Sequence, residues 1–180
     1  MKTTLKPWKK ISSKRAYKNP YMVIDKHRVV LPNGKRSSYY VSNQDRDAVC
    51  IITCDKKNRF LIQKEYRYPT GKVLYEFPGG LLNKREAPLR GAKREFQEET
   101  GYCARTWEKL GSFYASPSRT NLRFFIYLAK DLAFIGDSPD EAEFLEHEWV
   151  SEQKLRNMVK NGTLSIQTEL AALFLYYFTK

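Results

Sequence analysis

Residues 79–102, Gly79 to Tyr102, read GGLLNKREAPLRGAKREFQEETGY. Pro88 suits a first helical turn, where its missing N–H costs nothing, and Gly101 suits the left-handed residue that follows a helix, so the stretch predicts a helix between them. Leu89, Ala92 and Phe96 recur at three- and four-residue spacing and are expected to face a core. Glu95 and Glu99 are i and i+4 with Glu98 beside them, so three carboxylates project onto one strip of helix surface. Like charges at that spacing weaken a helix by about 0.2–0.5 kcal/mol per pair. Something should compensate. Lys93 and Arg94 offer one answer, a solvated and neutralised face. A hard divalent cation such as magnesium or manganese offers the other, because oxygen ligands that repel when empty become favourable around it.

Outward from this helix, apolar and β-branched runs with period-two character predict strands at 21–31, 38–42, 48–54, 60–67, 73–77, 108–115 and 123–128. LPNGKR supplies Asn33-Gly34 as a hairpin turn, and DKKNR supplies a second, polar one. Two further helices are expected, one after Ser151 as N-cap and ending before Asn161-Gly162, the other from about Ile166 to the C-terminus. Strands with a few helices make an α/β or α+β layered domain, without internal repeat or low-complexity segment.

The 180 residues are expected to form one domain with a sizeable core. The formal net charge is +12, and eleven Lys and Arg precede residue 37 against Asp25 alone. Such a run can be a nucleic-acid footprint, an attractor for small polyanions, or a solvated face that keeps the chain soluble. Cys50, Cys54 and Cys103 cannot all pair, and Cys50 and Cys54 lie in an apolar run, which fits buried thiols in a reducing, cytoplasmic setting. MKTTLKPWKKISSKRAYKNP has the charge of a secretory leader but lacks its apolar segment. The most apolar stretch, Leu170 to Phe178, is less than half a bilayer span, so no membrane is expected as a partner.

Gly80, five residues, Glu86, seven residues, then REFQEETGY together resemble the Nudix box, the signature of enzymes that hydrolyse nucleoside diphosphates linked to another moiety. About seven fixed positions give a chance match on the order of 10⁻⁸ per start site on average usage. Phe96 replaces the usual aliphatic residue and Tyr102 occupies the terminal apolar position. The resemblance implies a Nudix-type α/β/α sandwich with a mixed central sheet, preceded by an N-terminal antiparallel β extension over residues 1–45, with the hydrolase domain over 46–180. It also implies that magnesium, or manganese, is held by Glu95, Glu98, Glu99 and the carbonyl of Gly79. Arg94 would orient a box glutamate through a charge-assisted pair, and Glu98 would add direct or water-mediated coordination. Glu86, at the helix start, suits the helix dipole and is expected to be structural.

FLIQKEYRYPTGKVLYEFPGG resembles the branch that includes ADP-ribose and nucleotide-sugar pyrophosphatases. On that likeness Arg67 is a phosphate clamp and Glu76 a substrate or metal contact. Pro117, fifteen residues after Tyr102, matches the spacing of the ADP-ribose subgroup, but Ser118-Arg119 stands where the family often has glycine, so Arg119 could meet a phosphate and the distal sugar could be a hexose. GDSPDEAEFLEHEWVS resembles the acidic loop and strand that close the site, with Glu141 or Glu143 as general base. The N-terminal segment resembles the sheet through which such enzymes form homodimers and cover the base, with Trp8, Tyr17 or Tyr21 stacking on a purine. The expected reaction is metal-dependent hydrolysis of a nucleoside diphosphate sugar, ADP-ribose foremost, into a nucleoside monophosphate and a sugar phosphate. GDP-mannose or another nucleotide hexose, an RNA 5′ end, and a non-catalytic nucleotide-binding module are the alternatives. The Pro117 spacing and EYRYP speak against RNA, so nucleic acid is not expected as a partner.

Overall fold

The computed structural model describes residues 5–42, 46–136 and 144–179. Contacts divide the chain into two compact units, Met1–Asp45 with Tyr114–Leu122, and Arg46–Phe113 with Arg123–Lys180.

In the first unit β1 (Lys9–Lys18), β2 (Val23–Val30) and β3 (Arg36–Ser42) form an antiparallel sheet in that order. LPNGKR turns as expected: Gly34 has φ 84°, and the Leu31 N–H donates to the Lys35 carbonyl at 2.8 Å. Alternation does not reveal β1, because KKISSKRAYK has no apolar face; it is an exposed edge strand held by backbone pairing to β2. Asp25 is buried on the packed side of the sheet and bonded by Arg15 Nε at 2.5 Å. The segment 114–122 joins this unit through the Ser42 N–H, which donates to the Arg119 carbonyl at 2.8 Å, and the Tyr39 hydroxyl, which donates to the Ser118 carbonyl.

The second unit contains β4 (Ala48–Thr53), β5 (Arg59–Arg67), β6 (Lys72–Glu76), β7 (Tyr102–Tyr114), β8 (Arg123–Phe134) and β9 (Glu146–Ser151). Its helices are α1 (Pro88–Thr100), α2 (Glu152–Lys160) and α3 (Gln167–Phe178). One sheet runs β4-β8-β7 with β4 and β8 parallel; the other runs β6-β5-β9 and is antiparallel. The mixed sheet is thus realised as two three-stranded sheets. Alternate β4 residues serve opposite faces: Cys50 and Ile52 pack with Leu155, Ala172 and Leu173 from α2 and α3, while Val49 and Ile51 pack with Ala92 and Phe96 from α1. Helices on both faces make the α/β/α layering. Burying a side chain such as Phe96 contributes about 1.5–3 kcal/mol.

The helices begin and end close to where the sequence places them. Gly101 at φ 68° closes α1, its N–H donating to the Gln97 carbonyl at 2.9 Å, and Ser151 caps α2 by accepting from the Lys154 N–H at 3.2 Å. Leu89 departs from expectation. It is 39 % exposed, because burial along α1 begins only at Gly91, two residues further in. β7 runs longer than predicted, since Tyr102 enters the strand directly from the helix cap, and β8 continues past Leu128 to Phe134.

Candidate active site

The segment from Pro78 to Leu82 runs beside β4 and aims α1 at the cleft. The Val49 N–H donates to the Gly80 carbonyl at 2.9 Å, the Ile51 N–H to the Pro78 carbonyl at 2.8 Å, and the Leu82 N–H to the Asp47 carbonyl at 2.9 Å. This proximity requires glycine at 79, where a Cβ would lie 2.2 Å from the Val49 carbonyl oxygen; one on Gly80 would lie 2.6 Å from a carboxylate oxygen of Glu95, a side chain that can move aside.

These elements border a cleft of about 1300 Å³. Arg67, Glu76, Gly79, Arg94, Glu95, Glu98 and Glu99 all line it, so the structure brings together seven residues singled out from the sequence. Glu99, in the last turn of α1, is 9 % exposed; its Oε2 accepts from the Gly79 N–H at 2.8 Å and from Gln63 Nε2 at 3.3 Å. Arg94 gathers the others. Its guanidinium lies 2.9 Å from Glu86, 2.8 Å from Glu95 and 2.8 Å from Glu98. The pairing with Arg94, aided by the Asn83 N–H, holds the Glu86 carboxyl below its usual value. Glu86 therefore ties the loop to α1.

Across the cleft, Arg67 Nε donates to Glu76 Oε1 at 2.7 Å, its Nη2 reaches Glu76 Oε2, and it lies 2.9 Å from Glu65. The fork-to-fork pair with Glu76 pushes the Arg67 guanidinium further up, so it stays charged at every accessible pH. Burial pushes the Cys50 thiol well above its ordinary value, and Glu169, Glu99 and Glu76 add to this, leaving an inert thiol.

Three residues of the site were missed. Gln63 is a buried amide inside the apolar run FLIQ, and that misplaced polarity was a visible signal; its partner thirty-six residues away was not. Glu65 shares Arg67, and in the sequence nothing but its spacing from Arg67 sets it apart from the other acids of the strands. Glu169 is the one acid in the apolar helix α3, 4 % exposed, with Oε2 lacking a hydrogen-bond partner among the described residues. Burial pushes its carboxyl up to about 7, Glu76 adds to that, and bonds from the Glu169 and Phe77 N–H groups oppose it.

Among the described residues, no three His, Cys, Asp or Glu side chains converge as a metal site, because Glu95 and Glu98 are drawn onto Arg94. The donors nevertheless suit a hard cation. Glu86, Glu95 and Glu98 share one guanidinium, leaving excess negative charge, and the space beside Gly80 that a Cβ would fill is held by the Glu95 carboxylate. Of Gly79, the N–H is engaged by Glu99. Trp8, Tyr21, Pro117 and Arg119 belong to the first unit: Trp8 meets Tyr39 edge-on at 5.7 Å, and Tyr21 is 90 % exposed. Glu141 and Glu143 lie outside the described residues. No helix described is long and apolar enough to cross a membrane.

Residues 44–169 match the family described as NUDIX domain, and residues 8–42 match the nucleoside diphosphate sugar hydrolase N-terminal domain. An ADP-ribose pyrophosphatase of Bacillus subtilis (strain 168) is 34 % identical over 120 residues, covering 66 % of this chain and 64 % of that protein, just under two thirds of its length. A methanol dehydrogenase activator of Bacillus methanolicus is 32 % identical over 140 residues, 77 % of this chain and 75 % of that one. In three dimensions the chain is similar to a crystal structure of an ADP compounds hydrolase, with a TM-score of 0.88, 98 % and 95 % coverage and 21 % identity, which speaks for the fold alone.

Proposed function

Because the chain belongs to the Nudix domain family and matches the N-terminal domain of nucleoside diphosphate sugar hydrolases, we propose that it cleaves the diphosphate of a nucleoside diphosphate sugar. ADP-ribose comes first, given the Bacillus subtilis relative; the products are a nucleoside monophosphate and a sugar phosphate. The observation that carries this reading is the convergence of two arginines and the box carboxylates on one cleft.

Glu95, Glu98, Glu99 and the Gly79 carbonyl would hold magnesium, or manganese. When bound, such a cation neutralises diphosphate charge and acidifies a water. Arg67, fixed by Glu65 and Glu76, would present its guanidinium to the diphosphate. Arg94 would keep Glu98 and Glu86 in place. Water adds to one phosphorus, the bridging P–O bond breaks, and Glu141 or Glu143 would accept the water's proton. Residues 46–180 would form the hydrolase domain. Residues 1–45 would serve dimerisation through the N-terminal sheet and, with Trp8 and Tyr21, cover the base. Pro117 and Arg119 would border the distal sugar. The loop at Ser118-Arg119 also supports a second reading, a nucleotide hexose such as GDP-mannose, because Ser118 stands where the family often has glycine and Arg119 beside it would meet a phosphate. The three free cysteines fit a reducing cytoplasm.

The test is product release from ADP-ribose, GDP-mannose, UDP-glucose and a 5′-triphosphorylated RNA, each with magnesium and with chelator. Metal-dependent cleavage of a nucleotide sugar supports the proposal and ranks the sugars. Activity on the RNA alone, or none with the protein folded, overturns it.

A further inference from the structure

The register of the N-terminal sheet sorts its side chains onto two faces, since directly paired residues of antiparallel strands point the same way. Pairing of Val30 with Lys9 and Arg36, of Lys26 with Lys14 and Tyr40, and of Arg28 with Ser12 and Ser38 puts these residues on one side. The other side carries Asp25 and Val29, both buried, and Tyr39, whose hydroxyl is bonded to the Ser118 carbonyl. The first side is therefore the outward one. It presents five cations, Lys9, Lys14, Lys26, Arg28 and Arg36, all exposed, and no acid among the residues in register. Two aromatic rings lie among them: Tyr40 is 56 % and Tyr17 50 % exposed, and Lys26 Nζ sits 5.5 Å from the Tyr40 ring centroid.

We propose that this outward face binds single-stranded nucleic acid, with the five cations tracking the phosphates and Tyr17 and Tyr40 serving as stacking surfaces for bases. A partner of opposite sign and matching extent relieves the repulsion among like charges spread over three strands; a mononucleotide sugar offers two phosphates, and a strand offers one per nucleotide. A second copy seated face to face would set five cations against five. The only large aliphatic residues in register on this face, Ile24 and Val30, are half-buried, which leaves an acyl layer little to take up. The inference goes beyond the hydrolytic reading and departs from the expectation that nucleic acid is not a partner.

The test is fluorescence anisotropy of a labelled single-stranded oligouridylate against salt, beginning near about 50 mM. Five phosphate contacts give a slope of log K on log salt of at most about −3.5 for a single strand, and a slope between about −2 and −3.5 is expected. The double charge reversal Lys26→Glu with Arg28→Glu is compared with Lys56→Glu and Lys57→Glu, an equal change of net charge placed on the exposed turn between β4 and β5. The sheet variant should bind at least about tenfold more weakly and the turn variant within about twofold of the parent. Circular dichroism checks folding. Tyr40→Ala should lose about fivefold or more and Tyr40→Phe, which keeps the ring, should restore it, so the proposal remains testable if charge reversal prevents folding. Equal loss in both reversals, no binding at low salt, salt-dependent self-association through this face, or binding to phosphatidylserine vesicles in place of the oligomer would each overturn it.

Discussion

The Gly79 N–H donates to Glu99 Oε2 at 2.8 Å, which ties the turn entering the cleft to the last turn of α1, twenty residues on. A loop and a helix end that are far apart in sequence thereby become one rigid corner, and Gln63 from β5 braces it from below.

That corner depends on the missing side chain. Gly79→Ala places a methyl 2.2 Å from the Val49 carbonyl oxygen, which backbone cannot yield without breaking the pairing beside β4. A loss of about 1–3 kcal/mol is expected in urea unfolding. A variant as stable as the parent would mean the turn moves freely.

Arg94 links stability to acid. Because Arg94 holds Glu86 below its usual carboxylate value of 4.5, the pair contributes stability that is full above that value and lost as pH falls through the lower folded value. Arg94→Ala should cost about 1.5–3 kcal/mol at neutral pH and lose less further stability on acidification than the parent. Parallel stability–pH curves for the two proteins would exclude this origin.

Glu169 should act in the opposite sense. Its folded value, about 7, lies above the ordinary 4.5, so between these values the native state binds more protons than the unfolded chain and stability falls as pH rises. Glu169→Gln removes that cost. The variant is expected to gain on the order of 1–3 kcal/mol relative to the parent at pH above about 7 and little below about 4.5. An equal effect at both ends, read from denaturant midpoints, would show that packing and not charge is responsible.

Local signals made much of this legible. Pro88 and Gly101 bound α1, Asn33-Gly34 turns the hairpin, and Ser151 caps α2, each because one residue's own backbone preference decides the geometry. The box acids could be placed on one helix face by spacing alone. What spacing could not give is what comes across the sheet to meet them. Gln63 on β5 meets Glu99 on α1 only through the tertiary fold, and Glu169 reaches the cleft because α3 packs behind β4; Glu65, two residues from Arg67 on the same strand, was within reach of spacing. Edge strand β1 was hidden for another reason: a strand exposed on both sides has no hydrophobic period to read. Leu89 shows the converse, a correct period whose first position lies two residues short of the core.

The most direct test of the central claim is a magnesium titration of ADP-ribose hydrolysis by the parent and by Glu99→Gln. The amide keeps an oxygen for the Gly79 N–H, so the variant should fold with a thermal midpoint close to the parent's while losing the charge that would hold the cation. Turnover should need magnesium in the parent and be lower by about 10–100-fold in the variant even at saturating magnesium. Parent-like turnover by Glu99→Gln, or hydrolysis that persists in chelator, would contradict it.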